Sequence, residues 1–529
     1  MRVLPCGPHA ALLEFETLDD VLAAHARLRG FRGVTDVVPA ARTLLVIAPS
    51  VAGIEERVGA AMASHLAPSG RAGREVEVPV AYDGEDLKEV ARLTGLDIDE
   101  VVAAHTGTPW LAAFGGFAPG FVYLVGGDAR LRVPRLASPR TRVPAGAVAL
   151  ADEFSGVYPT SSPGGWRLIG STDAALFDPG ATPPSLIAPG DTVRFVAVER
   201  RAAADLTERC GQTDVRAPGG PESSSLRAFP SDRRRHLVVE RSLLPVLVQD
   251  RGRPGLGAIG VSASGAADRG AYELGQRMVG NERGEAALEI TMGQVAFTAA
   301  GTMTAVLTGA PCPTRVAPAS GERGGGALSS VPRASRAVSH ATVFTIGDGE
   351  TLTLGTPTAG LRTYLSLRGG VDVAPVLGSR SRDTLGGLGP EPLRTGDAVR
   401  VGRGAPGWAP AIDHVPQAPW PDLVVLRYLP GPRGDWVEGL AGSAWTVGDA
   451  VDRVGARLVG SPLARRGGEL PSEGAVRGAI QLPPSGQPVL FLADHPPTGG
   501  YPVVGVLTDD SADRAAQLRP GDRLRLDPA

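Results

Sequence analysis

The sequence predicts a mainly β protein in which a small α+β unit precedes tandem β-barrels. Between Thr108 and Val198, short runs of β-forming residues are separated by Gly and Pro, and this pattern resumes after residue 236. Turn signals at such regular spacing are typical of barrels and sandwiches. In addition, one glycine-rich stretch occurs twice, which indicates that a β-rich module was duplicated within the chain.

The repeated stretch reads SPGGWRLIG at residues 162–170 and PTGGYPVVG at residues 497–505. The segment GAVAL lies upstream of the first copy and GAIQL upstream of the second, and a Pro-Gly-Asp strand opener follows each copy. A Gly-Asp turn alone is common before strands, but three landmarks in the same order favour an internal duplication. We therefore expect residues 164–166 and 499–501 to form equivalent turns.

The first 75 residues alternate between strands and helices. The strands are AALLEFE and TLLVIAP, and the helices are residues 17–28 and 51–65. Two short helices, GEDLKEVARLTG and DIDEVVAAHTG, follow and end in Gly, a common residue at the end of a helix. A further helix is predicted at residues 266–281, where apolar residues recur at helical spacing.

These patterns divide the 529 residues into four folded units and two linkers. The first linker is rich in Pro, Gly, Ser and charge, and the second is rich in Pro and Trp. The units are a small α+β domain (1–80) and three β-barrels (81–201, 237–402 and 422–529), and the linkers are residues 202–236 and 403–421.

Composition excludes several classes of function. The net charge of −3 offers no basic surface for nucleic acid, and no run of 18 apolar residues predicts a membrane span. The first residues, MRVLPCGPHAALLEFE, lack the apolar core of a signal peptide. Three widely spaced cysteines form no disulfide framework, so we expect a cytoplasmic protein. The scattered histidines contain no HExxH or paired-Cys motif, so no metal site is predicted.

Arginine carries nearly all of the positive charge, because Lys88 is the only lysine. A Walker A loop requires Gly-Lys-Ser/Thr and is therefore excluded. A biotin-carrying or Schiff-base lysine would have to be Lys88, which lies in an acidic helical stretch and is expected to be a solvated surface residue. We infer that biotin is not attached to this chain.

The first stretch with candidate site residues is 114–150, where Arg135, Arg140 and Arg142 lie close together among prolines. Guanidinium groups bind carboxylates and phosphates through paired hydrogen bonds. The alternative is a structural rim of arginines on a barrel. Upstream, His105 lies near the end of a predicted helix, where an imidazolium meets the helix dipole favourably, and both a structural and a catalytic role stay open for it.

The second stretch is 247–281. A polar pocket in this stretch would be lined by Gln249, Asp250, Arg253 and Asp268. The same residues also suit the entry to a helix, with Ser264 as the capping residue.

These stretches resemble two paired protein families. Residues 118–178, with GF-x-PGF-x-YL, PRTRVPAG and SPGGW-x-LIG, are similar to the family of the kinase inhibitor KipI and the 5-oxoprolinase B subunit. The stretches VLGSRSRDTLGG, ELPSEGAVRGAIQLPPSGQPVLFLAD and TGGYPVVG are similar to the family of KipA and the 5-oxoprolinase C subunit. Both also resemble the carboxyltransferase domain of urea amidolyase. The chain is thus identified as a fusion of the two, joined through residues 202–236.

The resemblance implies cyclophilin-like barrels and a fused B and C component of an ATP-dependent 5-oxoprolinase, which opens 5-oxo-L-proline to L-glutamate. It implies a separate A subunit as partner, a small-molecule substrate, and ATP bound either here or by the partner. Two other functions follow from the same families. One is a biotin-dependent carboxyltransferase of the urea carboxylase type, and the other is a regulator that binds a histidine kinase. Homo-oligomerisation stays open.

We expect the site in a cleft between the two halves, built on the repeated turns. Such a cleft needs fixed cations for an oxyanionic substrate, flat walls, glycines that let the backbone approach, and a carboxylate that moves protons. The residues predicted for it are Arg140, Arg142, Gln249, Trp166, Tyr501, Gly164, Gly165, Gly499, Gly500 and Asp494, with Asp250 as the alternative carboxylate. Burial would have to raise the pKa of that carboxylate.

Overall fold

The structure is a computed structural model that describes residues 1–50, 52–63, 73–199, 235–318, 334–403, 412–468 and 470–529. Almost all of the predicted first linker lies outside these residues, as do residues 404–411 of the second. The mainly β class is confirmed, with sheets in all four units. No helix in the described part of the chain is long and apolar enough to cross a membrane.

The N-terminal unit is a four-stranded antiparallel sheet covered by two helices. Its elements are β1 (Arg2–Pro5), β2 (Ala10–Glu14), α1 (Leu18–Leu28), β3 (Asp36–Pro39), β4 (Thr43–Ile47) and α2 (Ile54–Ala63), with sheet order β1-β2-β4-β3. Helix residues such as Val21 of α1 cover Leu13 and Leu44 on one face of the sheet. The opposite face, which includes Leu12 and Leu45, packs on the C-terminal barrel and fixes this unit there.

The second unit is a seven-stranded sheet that curls towards closure. Its elements are β5 (Glu75–Val80), α3 (Leu87–Thr94), α4 (Ile98–Gly107), β6 (Trp110–Gly116), β7 (Ala118–Val125), a 3-10 helix (Ala129–Leu131), β8 (Arg140–Val143), β9 (Ala147–Ala151), β10 (Phe154–Val157), β11 (Ser162–Gly164), β12 (Arg167–Ser171) and β13 (Thr192–Ala197). The order is β12-β9-β10-β7-β6-β13-β5, and a bridge between Ala81 and Ser171 brings the two edges together.

This sheet corrects the predicted boundary at residue 80. β5 pairs in parallel with β13 along its whole length. It therefore belongs to the second unit, and the boundary lies upstream of Glu75. Alternate residues of β5 are buried, so one face of this strand is covered. The sequence alone did not indicate which sheet β5 joins.

The third unit consists of two sheets around one core. Its elements are β14 (His236–Ser242), β15 (Leu247–Gln249), a 3-10 helix (Gly257–Ile259), α5 (Arg269–Met278), β16 (Ala287–Thr291), β17 (Val295–Ala300), β18 (Met303–Gly309), β19 (Thr314–Ala317), β20 (Arg336–Val338), β21 (Phe344–Ile346), β22 (Thr351–Leu354), β23 (Arg362–Leu367) and β24 (Ala398–Arg400). The sheet orders are β20-β19-β22-β17-β14-β24 and β15-β16-β23-β18-β21. Side chains from both sheets, such as Phe297 and Leu365, fill the space between them.

The fourth unit is a closed barrel. Its elements are β25 (Leu423–Pro430), a 3-10 helix (Gly434–Trp436), β26 (Ser443–Val451), β27 (Gly455–Val459), β28 (Glu473–Gly474), β29 (Ala479–Gln481), β30 (Val489–Phe491), β31 (Thr498–Gly499), β32 (Val503–Leu507), α6 (Asp509–Ala515) and β33 (Arg523–Pro528). The order is β25-β32-β29-β30-β27-β26-β33, and β33 closes the barrel by pairing in parallel with β25. Trp420, from the predicted second linker, packs against its core.

Strand pairing confirms the internal duplication. The nine strands β5–β13 pair in the same order and orientation as β25–β33, except that the ladder between β25 and β32 is replaced by the single bridge between Ala81 and Ser171. Both glycine-rich turns follow the short strand of a two-stranded sheet, in which Gly164 pairs with Arg140 and Gly499 pairs with Glu473. The two turns therefore occupy equivalent positions, as the repeated sequence predicted.

Candidate functional site

The two halves of the chain meet at the glycine-rich loop that joins β6 to β7. A Cβ atom at Gly115 would lie 2.3 Å from the carbonyl oxygen of Ala258, and one at Gly116 would lie 1.8 Å from Thr498 Oγ1. A Cβ at Gly260 would lie 2.2 Å from the carbonyl oxygen of Ala118. Glycine is therefore required on both sides, because any side chain would push the two halves apart.

A second contact brings in residues 379–386, which lie between β23 and β24. A Cβ atom at Gly386 would lie 3.0 Å from Pro119 Cγ and 2.5 Å from Asp383 Oδ2. We call the meeting of residues 115–119 with residues 258–260, 379–386 and Thr498 the junction. Phe117 and Leu385, on the two contacting loops, both expose apolar side chains to solvent.

Asp494 lies at the centre of a buried hydrogen-bond network beside the junction. Its Oδ1 accepts a hydrogen bond from Ser264 Oγ (2.6 Å), and its Oδ2 accepts hydrogen bonds from Thr384 Oγ1 (2.7 Å) and from the Thr384 backbone N–H (2.8 Å). The Arg453 guanidinium adds bonds of 2.9 Å and 3.0 Å. Burial opposes ionisation of Asp494, but Arg453 outweighs it and holds the pKa below its usual value.

This corrects the predicted role of Asp494. A carboxylate that moves protons needs a pKa raised towards neutrality, whereas Asp494 is a fully paired anion. Arg453 also bonds Glu289, which accepts a hydrogen bond from the Tyr364 hydroxyl at 2.7 Å. The ionic network thus ties the C-terminal barrel to the third unit.

At the junction, Asp383 is a carboxylate with a raised pKa. It is completely buried, and its Oδ1 accepts hydrogen bonds from the backbone N–H groups of Leu385 (3.0 Å) and Gly386 (2.9 Å). Its Oδ2 has no hydrogen-bond partner among the described residues. Burial, followed by the negative charge of Asp494, raises the pKa of Asp383 to about 6.

Three of the other buried polar atoms that lack hydrogen-bond partners in the described structure belong to residues in or touching segment 381–383. They are Gln249 Oε1, Arg253 Nη1 and Arg382 Nε. Gln249 Nε2 donates to the Arg382 carbonyl at 2.9 Å, and Arg253 Nη2 donates to the Ser381 carbonyl. Burying one such atom unpaired costs about 1–3 kcal/mol. A concentration of these atoms beside a perturbed carboxyl group is typical of a functional site.

Asp250 has a structural role in holding this segment. Its carboxylate accepts hydrogen bonds from Ser379 Oγ (2.7 Å), Ser381 Oγ (2.6 Å) and the Arg380 backbone N–H (2.6 Å). Because both oxygens are engaged, Asp250 positions the residues before Asp383 instead of facing a ligand.

The predicted arginines of the first half do not reach the junction network. Arg140 forms hydrogen bonds of 2.8 Å and 2.9 Å with Asp86, and its Nη1 donates to the Trp166 carbonyl. Arg142 is exposed and bonds Ser161, and Arg135 lies 3.5 Å from Asp152. Arg140 thus fits the alternative of a structural rim, and anion binding by Arg135 and Arg142 stays a prediction.

The two predicted aromatic walls lie in different environments. Trp166 is only 5% exposed and packs in an aromatic core with Phe121 and Tyr123, whereas Tyr501 is 46% exposed on the surface. The neighbouring glycines serve each barrel separately. A Cβ at Gly164 would lie 2.3 Å from the Tyr158 hydroxyl, and one at Gly499 would lie 2.8 Å from Gln481 Nε2.

The other two turn glycines have more space. A Cβ at Gly165 would lie 3.6 Å from Pro139, and one at Gly500 would lie 3.6 Å from the Leu470 carbonyl oxygen. These are ordinary van der Waals distances, so neither position requires glycine for close approach.

His105 is a core residue of the second unit. Its Nδ1 is 2.6 Å from the Tyr82 hydroxyl, its Nε2 is 2.9 Å from Ser155 Oγ, and its ring stacks on Phe195. Burial lowers its pKa to about 3, so the ring is neutral and the predicted imidazolium at the helix end is wrong. Both ring nitrogens are hydrogen-bonded inside the barrel, which favours the structural role over the catalytic role predicted for His105.

Asp268, not Ser264, caps helix α5. Its Oδ1 accepts a hydrogen bond from the Ala271 backbone N–H at 2.9 Å, and its Oδ2 accepts one from Gln517 Nε2 at 2.7 Å. Burial and the nearby Asp513 raise its pKa to about 7. Ser264 instead bonds Asp494, so the cap that the sequence suggested became part of the junction network.

Of the predicted residues, the structure brings Gln249, Asp250, Arg253 and Asp494 together. Sequence reasoning missed Asp383, Arg382 and Arg453. Asp383 lies in VLGSRSRDTLGG, where a carboxylate between a basic residue and a glycine-rich turn was a usable signal. Arg453 lies in a strand connection with no such signal. No cluster of three metal-binding side chains occurs in the described part of the chain.

Comparisons with known proteins agree with this two-part architecture. The family model described as carboxyltransferase domain, subdomain C and D, matches residues 1–187, and the model for subdomain A and B matches residues 259–528. The solved structure of the protein designated TTHA0988 is 32% identical, covers 98% of this chain and 99% of that one, and gives a TM-score of 0.79.

Two curated relatives match different halves. The 5-oxoprolinase B subunit of Bacillus subtilis (strain 168) is 47% identical over 131 residues, which are 24% of this chain and 55% of that protein. The chain thus spans just over half of that relative's length. The 5-oxoprolinase C subunit of Escherichia coli (strain K12) is 33% identical over 301 residues, which are 55% of this chain and 90% of that protein. The chain therefore belongs to the carboxyltransferase-domain family, with a half similar to the B subunit followed by a half similar to the C subunit.

Proposed function

We propose that this chain is the fused B and C component of a cytoplasmic, ATP-dependent 5-oxoprolinase that acts with a separate A subunit. The observation that carries the proposal is the junction. Relatives named as two subunits of one enzyme match the two halves of this chain. Partnerless buried polar atoms of the described residues gather beside the contact between those halves.

The unpaired atoms fit the chemistry of a small cyclic amide that carries a carboxylate. Arg253 Nη1 and Arg382 Nε are donors for the ligand carboxylate, and Gln249 Oε1 is an acceptor for the ring N–H. In the proposed reaction, water adds to the ring carbonyl carbon, the C–N bond breaks and the nitrogen gains a proton. Asp383, with its pKa near 6, takes up and releases protons close to neutral pH.

The junction does not fit the triphosphate of ATP. Arg453 is already engaged by Asp494 and Glu289, and the carboxylates beside it would repel phosphates. Because Lys88 is the only lysine, the chain has no Walker A loop. We therefore assign no nucleotide step to the junction, and in this proposal the A subunit is the binding place for ATP.

The test is an assay of the purified chain, with and without a partner that resembles the A subunit, for ATP hydrolysis that depends on 5-oxoproline and for glutamate formation. Asp383→Asn and Arg253→Gln are each expected to lower turnover about a hundredfold or more while the protein still co-elutes with the partner. Asp435→Asn, on the exposed surface of the C-terminal barrel, is the control and should keep full activity. Absence of 5-oxoproline-dependent turnover in the complex, or full activity in both junction variants, would refute the proposal.

The family description itself supports a second candidate, a carboxyltransferase that exchanges a carboxyl group with biotin on another chain. Carboxyl-transfer assays with free biotin or a biotinylated carrier protein distinguish the two candidates. Carboxyl transfer from carboxylated carrier to urea or a related amide, without 5-oxoproline turnover, would favour the second. Regulation of a histidine kinase would instead appear as inhibition of kinase autophosphorylation by a protein inactive in both assays.

A further inference from the structure

A cavity of about 640 Å³ lies where the N-terminal unit, the third unit and the C-terminal barrel meet. It is separate from the unpaired atoms of the junction, since none of the residues Gln249, Arg382 and Asp383 lines it. Its volume falls within the range of about 300–1,000 Å³ usual for small-molecule sites. Because three units contribute residues to its wall, the cavity forms only when these units pack together.

Much of the cavity wall is apolar. The apolar lining side chains include Val38, Ile47, Val261, Tyr272, Val476 and Val506. Such a wall accommodates the body of an organic molecule, and a few polar groups then orient it.

The acidic residues of the wall are already engaged. Asp36 accepts hydrogen bonds of 3.1 Å from the backbone N–H groups of Gly255 and Gly257. Asp509 lies 2.7 Å from His9, and Glu273 lies 3.4 Å from Arg251. Asp250, the remaining acid, is held by the serines described above. None of these carboxylates needs a ligand.

Two cations of the wall are incompletely paired. The Arg269 side chain forms no hydrogen bond or ion pair with the described residues, although its backbone N–H binds Asp513 at 2.9 Å. Arg269 is exposed to solvent and lines the cavity. The Arg477 side chain is only 8% exposed, and its Nε has no partner in the described chain, whereas its Nη2 is bound to Asp513 and to the Ala267 carbonyl.

We propose that this three-unit cavity binds a small, partly apolar molecule through one oxyanionic group, a carboxylate or a phosphate, held by Arg269 and Arg477 Nε. Two guanidinium groups provide the donor geometry that such oxyanions prefer. The apolar wall holds the rest of the molecule. This binding does not rest on the proposed reaction and needs no partner protein.

The test measures binding of benzoate, phenyl phosphate and inorganic phosphate to the full chain by isothermal titration calorimetry. Benzoate or phenyl phosphate, or both, should bind, and more tightly than inorganic phosphate because of the apolar wall; their relative affinities distinguish carboxylate from phosphate. Arg269→Gln should weaken that binding about tenfold or more. Arg269→Lys should restore part of it.

The control is Arg277→Gln, which is on the same helix and exposed like Arg269 but lies outside the cavity, and it should leave affinity unchanged. Absence of binding by benzoate and phenyl phosphate up to about 10 mM would overturn the proposal. So would equal affinity in Arg269→Gln. Loss of binding in Asp383→Asn alone would place the ligand at the junction and overturn the proposal as well.

Discussion

Replacing Asp383 by Asn should stabilise the fold while it removes the proposed activity. The raised pKa means that the folded protein favours the neutral carboxyl group. The stability contributed by this protonation is therefore fully present below about pH 4, and it is lost as the pH rises through about 6. Asn keeps the neutral state at every pH, and its Oδ1 can still accept from Leu385 and Gly386.

The magnitude follows from the pKa difference. A rise from 3.8 to about 6 is roughly two pKa units, and each unit corresponds to about 1.4 kcal/mol. Above pH 7, Asp383→Asn should therefore raise the free energy of unfolding by at most about 3 kcal/mol. The gain should fall to about 1 kcal/mol at pH 4.5 and vanish below about pH 3, where Asp383 is protonated in both folded and unfolded chains.

The assay is urea-induced unfolding followed by circular dichroism at pH 4.5 and pH 8. The matched control is Asp250→Asn, whose carboxylate bonds the start of segment 379–386. Its lost carboxylate oxygen accepts the Arg380 N–H, so this variant should lose about 1–3 kcal/mol at pH 8. The reasoning fails if Asp383→Asn is less stable than the wild type at pH 8, or if its gain is the same at both pH values.

Three further predictions concern buried or closely packed residues. Arg453→Met should lower the free energy of unfolding by about 3–5 kcal/mol, because it removes the cation bound to Asp494 and the nearer of the two cations beside Glu289. Arg466→Met, which breaks an exposed pair, should cost less than about 1 kcal/mol, and comparable urea midpoints for the two variants would contradict this reasoning. Because the buried His105 ring must be neutral, the wild type should lose stability as the pH falls from about 6.5 towards 3. His105→Gln should reduce that loss, and an unaltered pH profile would contradict this prediction. Gly115→Ala should destabilise the contact between the halves by about 1–3 kcal/mol, and Gly107→Ala, where the space is open, should not; hydrogen exchange in β6 measures both, and equal exchange would show that the contact is not tight.

The duplication and most local structure were predictable because they depend on neighbours along the chain. Gly-aromatic turns, Gly-Asp strand openers and helix ends each require particular residues at fixed offsets, so the repeated order of landmarks already indicated two equivalent modules. The boundary at residue 80 was not predictable in the same way. The partner of β5 is β13, more than 100 residues away in sequence, and its pairing leaves no local signal.

The candidate site shows the same contrast between residues that local sequence identifies and properties that only long-range contacts decide. Gln249, Arg253 and Asp494 stand out in the sequence as polar residues in glycine-rich stretches, and the structure does gather them. Which carboxylate has the raised pKa was decided only in three dimensions, because Arg453 approaches Asp494 from one side while no cation among the described residues bonds Asp383. Charge, burial and partner distance set a pKa, and all three are properties of the assembled units.

The sequence by itself determined a mainly β chain with a duplicated module, arginine as nearly its only cation, and no lysine for a Walker A loop. These follow from composition and from spacing along the chain. The tertiary structure decided that Trp166 fills a core, that Tyr501 is exposed, and that Asp383 belongs to the site. Side-chain environment depends on residues brought together across the fold, so of two turns with nearly the same sequence, one has a buried aromatic ring and the other an exposed one.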